Sequence, residues 1–127
     1  LYFELMKSCI ETERLILREM IPSDDAGMFE LDSNLEVHRF LGQKPVQHIA
    51  ESRLMIQNLR KQYADNGIGR WAVILKETNE FIGWSGIKLI TDSINNHQNF
   101  YEIGYRFIPK YWGKGYATEA GLAFVEF

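Results

Sequence analysis

Ile108-Pro109-Lys110-Tyr111-Trp112-Gly113-Lys114-Gly115-Tyr116-Ala117-Thr118-Glu119-Ala120 joins a strand to a helix through two glycines. The β run stops at Pro109, which has no N–H to give a ladder. Glycine lets the backbone turn where a Cβ would obstruct it. The first amides of the following helix have no intrahelical acceptors, and the helix dipole places partial positive charge beside them. A strand, a glycine-rich turn and a helix start therefore make a cradle suited to phosphate or pyrophosphate. The spacing is not that of a P-loop, which needs G-x-x-x-x-G-K-[ST]. It is not the dinucleotide fingerprint either, because Gly113-Lys114-Gly115 is followed by Tyr116, Ala117 and Thr118 with no third glycine. The residues alone leave two readings open: an anion cradle of another kind, or a plain structural turn.

Upstream, Phe100 to Ile108 alternates Tyr101, Ile103, Tyr105 and Phe107 against Glu102, Gly104 and Arg106, the period of a strand. Before it, Trp71-Ala72-Val73-Ile74-Leu75 and Phe81-Ile82-Gly83-Trp84-Ser85-Gly86-Ile87 flank the polar turn Glu77-Thr78-Asn79-Glu80 and read as a hairpin. Gly83 and Gly86 mark a bulge or a close backbone approach. The polar stretch Asp92 to Asn99 reads as a loop. Met55, Ile56, Leu59 and Tyr63 form one stripe of a helix from Ile49 to Ala64, ended by Asn66-Gly67, with Arg53, Asn58, Arg60 and Lys61 on its wet side. Arg14 to Glu19 reads as a first strand closed by Pro22. Ser23 is placed to cap a short helix that buries Met28 and Phe29, and Asn34 to cap another turn carrying Leu35, Val37 and Phe40. Downstream, Ala117, Ala120, Ala123, Phe124 and Phe127 give the last helix its apolar stripe. Strand, two helices, antiparallel strands and a glycine turn into a helix amount to an α/β (α+β) domain, with helices on both faces of a mixed, mostly antiparallel sheet.

The 127 residues fit one domain, with residues 1–5 set aside as a tag remnant before Met6 and residues 6–127 as the domain proper. A net charge of −3 supplies no global field for nucleic acid. No apolar run approaches the roughly 20 residues of a membrane span, and no secretory signal appears, so no nucleic acid or membrane partner is expected. Cys9 has no companion for a disulfide or a zinc site and reads as an inert small hydrophobe in a reducing, cytoplasmic setting. His38, His48 and His97 lack metal-ligand spacing, and no metal is expected. The final helical pattern reaches Phe127 with no stop signal, so the sequence reads as truncated at its C-terminal end. If nothing followed, an apolar helix face and a sheet edge would be left open, and a homo-oligomer is the expected way to cover them.

Trp112-Gly113-Lys114-Gly115-Tyr116-Ala117-Thr118-Glu119-Ala120 resembles the acetyl-coenzyme A motif of the GNAT superfamily of N-acetyltransferases, in the branch of the ribosomal-protein alanine and serine acetyltransferases (RimJ/RimL-like). The superfamily pattern Gln/Arg-x-x-Gly-x-Gly/Ala reads here as Trp112-x-x-Gly115-x-Ala117, departing at its first position in the way that branch often does. Thr12-Glu13-Arg14-Leu15-Ile16-Leu17-Arg18, Phe81-Ile82-Gly83-Trp84-Ser85-Gly86 and Glu102-Ile103-Gly104-Tyr105-Arg106 are similar to further segments of the branch, in the family's order.

The resemblance implies the GNAT acyl-CoA N-acyltransferase fold, with its C-terminal strands missing from this sequence. It implies acetyl-CoA as cosubstrate and a primary amine as acceptor, either a protein N-terminus or a small-molecule amine. It implies that backbone groups of Phe107 and Ile108 pair with the pantetheine arm. Amides of Gly113, Lys114, Gly115, Tyr116 and Ala117 would hold the pyrophosphate, with the Thr118 hydroxyl nearby. The Lys114 side chain would add a charge contact or stay solvated. Glu102 matches the position some relatives use as general base, and Ser85 is a second polar candidate, for orienting the substrate. The acid for the leaving thiolate would lie beyond Phe127. A noncatalytic CoA-binding module, either a fragment or a sensor, keeps the same cradle and is the alternative.

Overall fold

The computed structural model describes residues 9–39, 45–66, 69–90 and 100–126. Residues 1–5, read above as a tag remnant, Phe40, Gly67, the loop expected over 92–99, His97 and Phe127 lie outside them. Five strands form one sheet in chain order: β1 (Cys9–Glu11), β2 (Leu15–Glu19), β3 (Arg70–Leu75), β4 (Glu80–Ile90) and β5 (Phe100–Phe107). Each neighbouring pair is antiparallel, in keeping with the mostly antiparallel sheet expected. The helices are α1 (Asp25–Asp32), α2 (Leu35–Arg39), α3 (Ile49–Asn66) and α4 (Tyr116–Glu126).

Leu15 and Leu17 are fully buried while Ile16 and Arg18 are half-buried, the alternation of a strand with one better-covered face. Trp71, Ala72, Val73 and Ile74 are all buried, because β3 sits mid-sheet with helices over both faces. The two faces follow from the contacts of β5. Arg106 reaches Asp32 at the end of α1, whereas Phe107 lines a cavity against the first turn of α4. Neighbouring residues of a strand point to opposite faces, so α1 and α4 cover opposite sides. Met20, Met28, Leu31, Ile56 and Leu59 fill the α1–α3 side, and Ala120 lets α4 approach the other.

The expected bulge is present. Val73 pairs with Gly83 and Ile74 with Phe81, leaving Ile82 as the extra residue of β4. Gly86 marks a close approach, since a Cβ there would overlap the carbonyl oxygen of Gly69. Asn34 caps α2 as expected, its Oδ1 accepting the Glu36 amide at 2.8 Å. Ser23 does not cap α1. It lies in a 3-10 turn (Pro22–Asp24) and is exposed, and the helix begins only at Asp25. The neighbouring carboxylate of Asp24 instead accepts the Ile21 amide at 2.8 Å and pairs with Arg18 through two contacts of 2.8 and 2.9 Å. Strand β1, with half-buried Cys9, has no counterpart in the sequence reading. Burial raises the Cys9 thiol pKa, which suits an inert side chain.

Candidate active site

Pro109–Tyr111 forms a 3-10 turn, and Trp112 sends its indole N–H back to the Phe107 carbonyl at 2.8 Å. Gly113 and Gly115 then take positive φ values of 75° and 82°, a conformation that disfavours any side chain. Helix α4 starts at Tyr116, and its first ladder bond runs from the Glu119 amide to the Gly115 carbonyl at 3.0 Å. The amides of Tyr116, Ala117 and Thr118 therefore have no intrahelical acceptor. They border a cavity of about 370 Å³ between α4 and β5, walled on the strand side by Tyr105 and Phe107 and closed by Trp112 and the two glycines. Donor amides, the helix's positive end and a partly apolar wall suit an anion carrying an extended organic arm.

The backbone where β5 ends bears on one expectation. The Ile108 amide donates to the Ile82 carbonyl at 2.9 Å, and the Ile108 carbonyl accepts the Tyr111 amide at 3.0 Å. Both groups are engaged within the protein, the amide toward β4 and the carbonyl in the turn that follows. The reason is the alternation of antiparallel ladders. If Ile108 faces β4, Phe107 and Tyr105 direct their backbone groups the other way. The Phe107 carbonyl already takes the Trp112 indole, leaving its amide as the group on the open side.

Ser85 is 1% exposed, and its hydroxyl donates to the Gly104 carbonyl at 3.4 Å, an interaction within the sheet. Glu102 stands opposite Lys88 in a β4–β5 register without irregularity, so the bulge of β4 does not extend into β5. The Glu102 side chain lies outside the described part of the structure. Lys114 is exposed, and its carbonyl accepts a bond from Arg14 Nη1 at 2.9 Å.

That bond belongs to a cluster with no signal in the sequence. The Arg14 amide donates to Glu119 Oε2 at 2.9 Å, Arg14 Nε donates to Oε1 at 2.7 Å, and the Thr12 hydroxyl also donates to Oε2. Burial pushes the Glu119 carboxyl up, but the hydrogen bonds from Thr12 and Arg14 outweigh it and hold the group below its ordinary value. The guanidinium lies 4.5 Å from the Tyr116 ring centroid. On the opposite face, Arg106 Nη1 meets Asp32 Oδ1 at 2.9 Å, and Trp84 has Arg70 at 4.5 Å and Arg106 at 5.7 Å from its ring. Trp71 and Trp84 are buried, whereas Tyr105 is exposed at the cavity wall. Among the described residues no group of three His, Cys, Asp or Glu could hold a metal ion, and no helix is long and apolar enough to cross a membrane.

The family model described as the acetyltransferase (GNAT) domain matches residues 14–127. The chain belongs to this family. A GNAT relative, the uncharacterized N-acetyltransferase YoaA of Bacillus subtilis (strain 168), is 34% identical over 110 residues, covering 87% of this chain and 60% of YoaA. The crystal structure of a GNAT-family acetyltransferase from Bacillus anthracis superposes with a TM-score of 0.70 at 28% identity, covering 93% of this chain and 64% of that one. RimL, a ribosomal α-N-protein acetyltransferase in complex with coenzyme A, shares the fold with a TM-score of 0.68 at 18% identity, over 93% of this chain and 66% of RimL. The GNAT chain described here spans less than two-thirds of the length of each of these three proteins.

Proposed function

We propose that this GNAT chain carries the cofactor-binding part of an N-acetyltransferase that takes acetyl from acetyl-CoA and gives it to a primary amine. The observation that carries the reading is the cavity at the start of α4, where two positive-φ glycines and three amides without intrahelical acceptors face the β5 wall. Coenzyme A fits this set of groups, with a pyrophosphate for the amides and a slender arm for the edge of β5. Acetyl-CoA, when bound, supplies an acetyl group activated as a thioester.

In this reading the amides of Gly113, Lys114, Gly115, Tyr116 and Ala117 bind the pyrophosphate, with the Thr118 hydroxyl beside them and the Lys114 ammonium adding charge. The Phe107 amide aligns the arm along the strand. An acceptor amine has a pKa of about 8 to 10 and must lose a proton before its lone pair can attack. Glu102 takes that proton at its carboxylate, directly or through water. Ser85 is a second polar candidate for orienting the acceptor, which its hydroxyl would contact by leaving the Gly104 carbonyl. The branch is the RimJ/RimL-like one, supported by Trp112-x-x-Gly115-x-Ala117 and its three companion segments, and the acceptor is a protein N-terminus or a small amine in the cytoplasm.

Calorimetry of CoA binding to the full-length protein tests the cradle. Gly115→Asp should abolish binding, since it strains φ at 82° and adds a negative charge to the turn that borders the cavity; equal affinity in parent and variant would remove the assignment. Thiol release from acetyl-CoA with a panel of amines and N-terminal peptides separates an enzyme from a binding module. Glu102→Gln should lower kcat by about 10²–10⁴-fold with CoA affinity unchanged, and a loss below about tenfold would move the base elsewhere.

A further inference from the structure

Lys114 sits between two positive-φ glycines, and its carbonyl points at Arg14 Nη1, 2.9 Å away. Among the described residues no peptide bond is cis, so the Lys114 carbonyl and the Gly115 N–H point in opposite directions across one planar unit. The Arg14 contact therefore also fixes the amide of Gly115, turning it away from Arg14, and Gly115 itself borders the cavity. Such a restraint is needed here. Flipping the Lys114–Gly115 peptide changes only ψ of Lys114 and φ of Gly115, and glycine accepts either sign of φ. A flipped peptide would aim a carbonyl oxygen, rather than an N–H, at an anion.

Arg14 is itself held. Its Nε and its main-chain amide both donate to Glu119, and its guanidinium lies over Tyr116. Arg14 Nη2 is 3.4 Å from where a Cβ on Gly115 would stand, so the guanidinium packs along the outer side of the turn. Thr12 completes the carboxylate's partners. A planar fork serves Glu119 and the Lys114 carbonyl together, which a single ammonium cannot.

We propose that Arg14 is a positioning residue for the cofactor, latching the Lys114–Gly115 peptide so that the Gly115 amide faces the phosphates, with Glu119 and Thr12 as its anchor. The latch rests on the acetyl-CoA reading for its purpose but not for its geometry, and two measurements keep the two apart. In the full-length protein, Arg14→Lys keeps the charge and removes the fork. Calorimetry should show CoA binding weakened by about tenfold or more, the scale of a lost charge-assisted hydrogen bond. Relaxation dispersion of the Gly115 amide nitrogen in ligand-free protein should be flat in the parent and show exchange in the variant. Glu119→Gln, which keeps the side-chain shape while weakening the anchor, should change both readings in the same direction by less. In kinetics the loss should fall on KM for acetyl-CoA and leave kcat at saturation unchanged. Weakened binding without exchange at Gly115, or exchange without weakened binding, would overturn the latch. A parent that fails to bind CoA would remove the cofactor reading, while the dispersion result would still decide whether Arg14 holds the peptide.

Discussion

Arg106 carries its charge under α1 and meets Asp32 at 2.9 Å, with side-chain exposures of 17% and 2%. Asp32 Oδ2 has no hydrogen-bond partner among the described residues, so the carboxylate is held by its other oxygen. The Asp32 carbonyl meanwhile accepts the Val46 amide at 3.0 Å and lies against His38 Nε2. Removing one charge of such a pair strands the other, whereas removing both costs far less. Asp32→Ala should therefore lower stability by about 3–5 kcal/mol in urea titrations, and adding Arg106→Leu should recover much of the loss. An additive double variant would mean that the two charges do not depend on each other.

Between elements, Tyr63 of α3 ties the end of β2 to β3. Its hydroxyl accepts the Met20 amide at 3.1 Å and donates to the Arg70 carbonyl. Burial pushes its pKa up to about 12 from an ordinary 10. The folded state thus resists ionising a group that the unfolded chain ionises near 10, so this contribution is intact below that pH and is lost as pH rises toward 12. Tyr63→Phe should cost about 1–3 kcal/mol at neutral pH, chiefly for the Met20 amide left unsatisfied. It should also flatten the alkaline decline in stability relative to the parent, as urea midpoints across that range will show. At the junction of β3 and β4, Gly86→Ala drives a Cβ into the Gly69 carbonyl. Backbone must move to relieve the overlap, at about 1–3 kcal/mol, and thermal melts should register the loss.

Among the described residues, three carboxyls on separate elements sit below their ordinary values for separate reasons. The Arg53 guanidinium and the Ala26 amide hold Asp25 down, and the amides of Gln47 and His48 hold Glu51 down. At Glu119, burial pushes the value up and the bonds from Thr12 and Arg14 outweigh it. A carboxyl that holds its proton more weakly when folded favours the folded state above its ordinary pKa. That advantage drains away as pH falls through the folded value. With ordinary values of 3.8 for Asp25 and 4.5 for the two glutamates, the contribution of these three carboxyls should be level above about 4.5 and decline below it. Glu119→Gln should make that acid decline shallower. CoA at about 100 times its dissociation constant should add roughly 2.7 kcal/mol to the stability of the full-length protein, read as a rise in Tm.

The sequence by itself determined most of the elements and the glycine turn before α4. Alternation over Phe100–Phe107, the stripe Ile56, Leu59 and Tyr63, and the glycine pair before Tyr116 are local patterns, and chain geometry turns each into a strand, a helix or a turn without reference to distant residues. Strand β1 escaped because three residues are too few to show a period. Tertiary structure alone decided the rest. Thr12 and Arg14 meet Glu119 across separations of 107 and 105 positions, and Asp32 meets Arg106 across 74, spans over which charge signs carry no information about contact. Whether Ile108 or Phe107 offers its backbone to the open edge depends on the register against β4, and a shift of one residue would exchange them. Ser85 reads as an available hydroxyl until the sheet closes around it, because only packing determines whether a polar group faces a ligand or a neighbouring strand.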